Sequence, residues 1–208
     1  MPGGKEPHTL DRCPEGASAR DLADDLEIVK EFDSRAEEYD AWYDENQEVF
    51  RKEIELIRGW ARGSPALEIG VGTGRFASGL GIGFGIDMAR GALLLARRRG
   101  IRAVLGSAES LPFKSESFAL VGVFFSIEFF GDPRRALEEC RRVLLPGGRL
   151  IVLHLLPSES LEKKRGKGFY SGMRRAYFPH EIARMAQGLA LADRSETGKL
   201  SALLFVKT

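Results

Sequence analysis

Three glycines at alternate positions are the clearest sign of chemistry in this sequence. Gly70, Gly72 and Gly74 follow a short apolar segment that also contains Glu68. Glycine allows the backbone to turn sharply and places no side chain in front of it, so a ligand can bind main-chain N–H groups at a helix start. A tight strand-to-helix turn that binds nothing would show the same glycines, so the loop alone leaves both interpretations open.

An acidic residue stands at the end of the next apolar segment. Asp87 lies 17 positions after Gly70. In doubly wound sheets, ligands bind outside the carboxyl ends of the strands, where the strand order reverses. A carboxylate at the tip of the second strand can accept hydrogen bonds from both ribose hydroxyls of a nucleoside, although an aspartate there can also cap a helix. Together, the glycine loop and Asp87 predict a nucleoside-binding site.

The elements that must position these residues alternate between strand and helix. Residues 75–81 leave room for only a short helix after the glycine loop, and Asp132-Pro133 is typical of a helix start. The predicted strands are 66–71, 82–86, 102–105, 118–125, 149–155, 189–195 and 203–207. This alternation predicts an α/β fold in which a mostly parallel sheet carries helices on both faces.

The segment before the first strand differs from the rest of the chain. Residues 1–25 mix Pro, Gly, Ser and charge without an apolar period, which predicts a flexible extension. From Phe32 to Tyr43, apolar residues recur at helical spacing, and a second helical stripe ends before Pro65. We expect one domain over 26–208, divided into a helical lid at 26–63 and an α/β core at 64–208.

Composition excludes several classes of protein. The 208 residues carry a net charge of +1, which argues against a dedicated DNA-binding protein. No apolar stretch is long enough to cross a membrane, and the N-terminus lacks the apolar core of a secretion signal, so we expect a cytoplasmic protein. Two cysteines, Cys13 and Cys140, are too few for a disulfide framework or a cysteine-based zinc site, and no metal is expected.

Charge is distributed unevenly along the chain. Residues 1–55 hold 17 acidic and 7 basic side chains, a net of −10, whereas residues 56–208 hold 13 acidic and 24 basic ones, a net of +11. Two differently charged solvated surfaces would explain this difference. The alternative is an acidic N-terminal segment that lies across a basic body, with an anionic ligand near the join.

Five segments, in order along the chain, resemble the motifs of class I S-adenosylmethionine-dependent methyltransferases of the small-molecule type, similar to methyltransferase domain 11. They are FDSRAEEYDAWYD, ALEIGVGTGRFA, GIDMA, GSAESLPFKSESFALV and LPGGRLIVLH. The resemblance implies a Rossmann-like, doubly wound, mostly parallel seven-stranded sheet with an N-terminal helical lid. It also implies that S-adenosylmethionine is the cofactor and S-adenosylhomocysteine the product.

The resemblance also implies roles for ten residues. The glycines would face the methionine half of the cofactor, Asp87 would bind the ribose, and two residues at the tip of the fourth strand would approach the reacting methyl group. Glu68 would support the loop and the amino group. The ten positions are Glu68, Gly70, Gly72, Gly74, Asp87, Met88, Ala108, Glu109, Phe125 and Ser126.

Two residues are candidates for a general base, should the acceptor need one. Glu128 follows the fourth predicted strand and could instead be a surface carboxylate. His154 lies at the end of the fifth predicted strand and could instead be a core histidine. Both would have to reach the crevice at the carboxyl ends of the strands to act on an acceptor.

Aromatic and basic residues are candidates for substrate contacts. Tyr39, Trp42 and Tyr43 on the predicted lid could shield a cofactor and attract a sulfonium through their ring faces, or could simply pack on the sheet. The segment 162–178, with Tyr170 and Arg174, mixes cations and aromatics. It could bind a small anionic acceptor or an RNA loop, or be a solvated loop.

Two other functions fit parts of the pattern. A nicotinamide-dependent oxidoreductase would use the same glycines, but Asp87 lies only 15 positions after Gly72, where about 20 is usual. A domain that binds the cofactor without catalysis, as a sensor or partner subunit, would keep the loop and Asp87. The missing Asn-Pro-Pro-Tyr signature argues against DNA adenine methylation. The methyl acceptor and the choice between monomer and homodimer stay open.

Overall fold

A seven-stranded sheet forms the centre of the molecule in the computed structural model, which describes residues 19–208, with side chains from residue 27. The strand order is β3-β2-β1-β4-β5-β7-β6, and only β7 pairs antiparallel to its neighbours β5 and β6. The strands are β1 (Ala66–Ile69), β2 (Phe84–Asp87), β3 (Arg102–Leu105), β4 (Phe118–Phe124), β5 (Leu144–Leu155), β6 (Leu189–Thr197) and β7 (Leu200–Lys207). This topology confirms the expected doubly wound α/β fold.

Eight helices surround this sheet in the described part of the chain. They are α1 (Ala19–Ser34), α2 (Ala36–Glu45), α3 (Gln47–Arg58), α4 (Arg75–Leu80), α5 (Arg90–Arg98), α6 (Pro133–Val143), α7 (Glu159–Glu162) and α8 (Pro179–Met185). As expected from the short spacing after the glycine loop, α4 has only six residues. The Asp132 side chain caps α6 by accepting a hydrogen bond from Arg135 N at 3.0 Å, and Pro133 occupies the first turn.

Helices cover both faces of the sheet because side chains alternate along each strand. On one face, Ile151 and Leu153 of β5 pack with buried residues of α3, α4 and α5. On the other face, Leu150 and Val152 pack with α6 and α8. Both sets of β5 side chains are fully buried, which explains why this strand reads as a nearly continuous apolar run.

The N-terminal lid consists of three helices where the sequence predicts two. The single helix expected from Phe32 to Tyr43 is interrupted at Arg35, between α1 and α2. Helix α1 begins at Ala19 and runs through the expected boundary at residue 26, while residues 1–18 of the expected extension lie outside the described residues. Over residues 19–208, no helix is long and apolar enough to span a membrane.

Several element ends differ from the sequence prediction by a few residues. Strand β4 ends at Phe124 because Phe125 has a positive φ of 51°, which a strand does not accommodate. Strand β5 begins at Leu144 and not at Arg149, because Pro146, Gly147 and Gly148 lie inside the strand. Its pairing with β4 shifts in register there. The sequence predicts a helix over 179–188, whereas helix α8 stops at Met185, three residues earlier.

Candidate active site

A cavity opens where the strand order reverses, at the carboxyl ends of β1, β2 and β4. Its wall on the sheet side comes from the glycine loop, Asp87, residues 106–109 and residues 124–126. Helices α1 and α2 close the other side. This is the position at which doubly wound sheets bind nucleotides.

All three glycines of the loop have positive φ, but their surroundings are of two kinds. A Cβ on Gly70 would lie 2.5 Å from the Cβ of Ser126, and one on Gly74 would lie 2.9 Å from the Cα of Ala96. A Cβ on Gly72 would meet no heavy atom within 4 Å. Gly70 and Gly74 thus permit close packing. At Gly72, no side chain separates the backbone from the cavity.

Asp87 connects the tip of β2 to the glycine loop. Its Oδ2 accepts a hydrogen bond from Gly72 N at 2.8 Å, and its Oδ1 accepts one from Ala89 N at 2.9 Å. Burial raises the pKa of Asp87, while these N–H groups oppose that rise. Each carboxylate oxygen has two lone pairs, so Asp87 can hold the loop and still accept hydrogen bonds from a ligand in the cavity.

Glu68 places a buried carboxyl group against the cavity. Its residue is 2% exposed, and its Oε2 has no hydrogen-bond partner. Burial raises the pKa of Glu68 well above its ordinary value. An unpartnered buried carboxylate is costly unless a cation or donor binds it, so the site fits a ligand with an ammonium group.

The expected adenine end contains Met88, Ala108 and Glu109, and all three line the cavity. Met88 is 42% exposed, which leaves an apolar side chain uncovered at the cavity edge. The Glu109 Oε1 accepts a hydrogen bond from Asp132 N at 2.8 Å. Its carboxylate therefore also holds the segment that leads into α6.

Phe125 and Ser126 lie at the tip of β4, where the cavity meets the glycine loop. The Ser126 Oγ donates a hydrogen bond to the carbonyl of Ile69 at 3.0 Å and so ties the ends of β1 and β4 together. The Phe125 ring packs edge-on against Phe76 at 5.7 Å. These contacts fix the floor of the cavity.

The two candidate bases do not line the cavity. Glu128 is buried in a short 3-10 helix, and its Oε1 accepts a hydrogen bond from Leu155 N at 2.7 Å. Burial raises its pKa to about 7. His154 is fully buried in β5, and its Nδ1 lies 3.2 Å from the Leu155 carbonyl oxygen. Burial lowers the pKa of His154 to about 4, so the imidazole is neutral at physiological pH.

Only some of the residues that were expected to contact the substrate line the cavity. Tyr39 and Tyr43 line it. Trp42 is 36% exposed and packs edge-on against Tyr43 at 5.1 Å outside the cavity. Tyr170 and Arg174 lie behind the cavity wall, where Arg174 N donates to the Glu128 carbonyl at 2.9 Å. The segment 162–178 therefore supports the wall and does not line it.

Ionic contacts fasten the lid to the core. The Asp40 carboxylate of α2 binds Arg75 at 2.8 Å and Arg99 at 2.7 Å. Arg99 also donates to the carbonyl of Thr73 within the glycine loop at 3.0 Å. Asp44 adds a second contact to Arg75 at 2.7 Å. These pairs join acidic residues of α2 to basic residues of the core.

Comparison with known proteins identifies the family. A model described as a methyltransferase domain matches residues 67–152, which contain the glycine loop and Asp87. A solved S-adenosylmethionine-dependent methyltransferase from Thermotoga maritima, described as a possible histamine N-methyltransferase, is 27% identical. It superposes with a TM-score of 0.79, covering 87% of this chain and 100% of that chain. The chain belongs to the class I S-adenosylmethionine-dependent methyltransferase family.

Two relatives extend the comparison of this methyltransferase. An uncharacterized protein of Methanocaldococcus jannaschii is 39% identical over 145 residues, which are 67% of this chain and 70% of that protein. A demethylmenaquinone methyltransferase of Thermotoga maritima is 43% identical over 75 residues, 35% of this chain and 33% of that protein. S-adenosylmethionine is the cofactor of the family, and the unpartnered Glu68 carboxyl and the bare Gly72 backbone fit it.

Sequence reasoning missed two acidic residues of the methyltransferase that the structure brings to the lid. Asp40 was not distinguished from other lid carboxylates, because its partners Arg75 and Arg99 lie 35 and 59 positions away. Glu53 is 8% exposed on α3 beside Tyr43. The signal that could have revealed it is its spacing. Glu53 lies three positions after Phe50 and four before Ile57, which places a charged residue on the apolar stripe of this helix.

Proposed function

We propose that this methyltransferase transfers the methyl group to a small, neutral and mainly apolar acceptor by in-line displacement. The observation that carries the proposal is the chemistry of the cavity wall. Apolar side chains from α1 and from the segment after β4 face each other there, among them Val29, Phe32 and Phe129. The rings of Phe32 and Phe129 meet edge-on at 5.1 Å.

The charged groups of the cavity argue against the anionic acceptor that the basic residues of 162–178 favoured. Among the described lining residues, the acidic side chains are Glu68, Asp87 and Glu109, and the only cation is Arg75. Arg75 is already bound by Asp40 and Asp44. An anionic acceptor would therefore face carboxylates without a free cation to offset them.

Catalysis then depends mainly on positioning. The bound cofactor supplies a methyl group on a positively charged sulfur, so the acceptor needs only to be held in line with it and away from water. The glycine loop and Asp87 hold the nucleoside, and Glu68 binds the ammonium group. Helices α1 and α2 exclude water. The sulfur keeps the electron pair of the broken bond and becomes neutral, while the acceptor loses a proton as the methyl group is added. Neither Glu128 nor His154 takes this proton in the proposal, because both lie outside the cavity, and it is released to solvent with the product.

Names of similar proteins indicate two acceptor chemistries. One relative is a demethylmenaquinone methyltransferase, and one solved neighbour is described as a possible histamine N-methyltransferase. The apolar wall supports a ring acceptor of the first kind over a charged amine. A quinol is neutral and planar and can lie between phenyl rings.

The test is methyl transfer from isotopically labelled S-adenosylmethionine by the purified protein. The acceptors are a reduced naphthoquinone, histamine, a phosphorylated sugar and a short RNA hairpin. We expect labelled product with the naphthoquinol only, and a raised KM for it in Phe32→Ala. Transfer to the phosphorylated sugar or the RNA would refute the neutral acceptor. Tight cofactor binding without transfer to any acceptor would favour the sensor instead.

A further inference from the structure

A segment that follows β5 covers one side of the cavity from outside. We call this segment, residues 166–172, the strap. A Cβ on Gly172 would lie 3.2 Å from the Cβ of Ile28, and the Phe169 ring packs edge-on against the Tyr39 ring at 5.3 Å. Ile28 and Tyr39 both line the cavity. The strap therefore packs behind two lid side chains that face the cavity.

The other contacts between the strap and the lid lie near the surface. The Arg35 guanidinium carbon is 4.9 Å from the centre of the Phe169 ring, and the Ser171 hydroxyl donates a hydrogen bond to the Glu31 carboxylate. The side chains of Arg35 and Glu31 are 28% and 35% exposed, so water weakens both contacts. No residue of the strap is buried. The strap can thus separate from the lid without exposing a buried side chain of its own.

The lid helices, in contrast, are attached to the core. Asp33, near the end of α1, accepts a hydrogen bond from Gly91 N in the first turn of α5, and Ala36 is buried against α5. Helix α2 is held by the ion pairs of Asp40. The junction between α1 and the strap is therefore the part of this wall that opens most easily.

The strap lies at the end of the cavity that is expected to hold the methionine half of the cofactor. Tyr39 packs edge-on against Tyr43 at 5.3 Å, and Tyr43 packs against Phe76 at 6.0 Å. The Phe76 ring in turn contacts Phe125, at the tip of β4, at 5.7 Å. The expected adenine end is instead open, since Met88 is 42% exposed at the cavity edge.

The geometry of methyl transfer separates the paths of the two ligands. In-line displacement requires the acceptor atom to lie about 3 Å from the methyl group, opposite the sulfur. A bound nucleoside would fill the opening beside Met88. The acceptor then has to arrive at the methionine end, which the strap covers.

We propose that the acceptor enters the cavity between α1 and the strap, by a route separate from that of the cofactor, and that the strap then closes to exclude water during transfer. The inference rests on the proposed function, since it requires an acceptor beside bound S-adenosylmethionine. The strap contacts neither ligand directly and acts by controlling access.

The test is a disulfide bond that fastens the strap to α1. In a chain that carries Cys13→Ser and Cys140→Ala, the changes Ile28→Cys and Gly172→Cys place two Cβ atoms 3.2 Å apart, close to the spacing of about 3.5–4.5 Å in disulfides. We expect the oxidised protein to bind S-adenosylhomocysteine as tightly as the reduced protein does. Methyl transfer to the naphthoquinol should be lost on oxidation and restored by a reductant.

The two single-cysteine variants, treated with the same oxidant, are the matched controls and should keep transfer. Undiminished transfer by fully oxidised protein, verified by counting free thiols, would overturn the inference. Loss of S-adenosylhomocysteine binding on oxidation would also overturn it, because both ligands would then share one entrance. A wild-type protein that binds no cofactor, or that methylates none of the acceptors, contradicts the proposed function instead.

Phe169→Ala tests the same junction without a new bond. The change removes the ring contacts with Tyr39 and Arg35, so the naphthoquinol should bind the S-adenosylhomocysteine complex about tenfold faster in stopped-flow mixing. S-adenosylhomocysteine carries no methyl group to transfer, so only binding is observed. Phe178→Ala removes a ring that is 48% exposed and stacks on His180, and should leave this rate unchanged. Equal rates in Phe169→Ala and the wild type would overturn the inference.

Discussion

Gly70 and Gly72 have similar backbone conformations but opposite surroundings. Their φ angles are 69° and 49°. A side chain at Gly70 would collide with Ser126, which joins β1 to β4, whereas a side chain at Gly72 would enter open space at the cavity. At residue scale, Gly70 therefore permits close packing of the fold, whereas Gly72 keeps the cavity free of a side chain.

Alanine substitutions should separate these two roles. Gly72→Ala should cost about 1 kcal/mol of stability from the left-handed backbone alone, and should weaken S-adenosylhomocysteine binding strongly. Gly70→Ala should cost about 3 kcal/mol, because overpacking against Ser126 adds to the backbone strain. Chemical denaturation and calorimetry of the two variants measure these effects. Equal stability losses in both variants would contradict the assignment.

Asp87 should be important for cofactor affinity. Asp87→Ala removes a hydrogen-bonding carboxylate and frees the Gly72 N–H, so cofactor binding should weaken by about 1.5–3 kcal/mol, the scale of hydrogen bonds to a charged group. Asp193→Ala, on the exposed strand β6, is the control and should bind normally. Unchanged affinity in Asp87→Ala, measured by calorimetry, would mean that Asp87 does not bind the ribose.

At the scale of elements, ion pairs hold the lid helix α2 against the core. Asp40 is 15% exposed and binds two arginines from different elements, whereas Asp44 is 65% exposed and binds only Arg75. Exposed ion pairs contribute little, since water and salt screen them. Asp40 is therefore the main ionic link between α2 and the core.

Removing each aspartate should affect the lid to different degrees. Asp40→Ala should raise the rate of S-adenosylhomocysteine release about tenfold, because α2 loses hydrogen bonds to two charged partners worth about 1.5–3 kcal/mol. Asp44→Ala should change the rate less than threefold. Stopped-flow dissociation measures both rates. A larger effect for Asp44→Ala would show that the exposed pair dominates.

At the scale of the whole molecule, buried titratable groups make the stability of the fold depend on pH. Burial raises the pKa of Glu53 and Glu128 to about 7 and raises those of Glu68 and Asp87 as well. The folded protein then holds protons that the unfolded chain has lost, so these groups stabilise the fold at low pH, and that contribution is lost as the pH rises. His154 has a lowered pKa of about 4 and acts in the opposite direction below pH 6.5.

The free energy of unfolding of the cofactor-free protein should therefore decrease as the pH rises from about 5 to about 7, since the raised carboxyl groups outnumber His154. Glu53→Gln should reduce this decrease by about 2 kcal/mol, because a pKa raised from 4.5 to about 7 is worth about 3 kcal/mol in all and part of this is lost outside the range. Denaturant titrations across this range test the prediction, with Glu55→Gln expected to follow the wild type. A stability that increases with pH would contradict it.

Much of the fold and the position of the cavity could be predicted because their signals are local. Strands and helices follow apolar periods of two and 3.6 residues, and the glycine loop and Asp87 come directly after strands that a doubly wound sheet brings together. The break between α1 and α2 at Arg35 was not predictable in this way, since the apolar stripe continues across it.

By itself, the sequence determined the sheet, the lid and the glycine loop of this methyltransferase, because these depend on spacing along the chain. Only the tertiary structure decided which polar side chains reach the cavity. It buries Glu128 and His154 outside the cavity, joins Asp40 to partners 35 and 59 positions away, and buries Glu53 within the lid. Such contacts depend on how helices pack against the sheet, and no spacing along the chain encodes that packing.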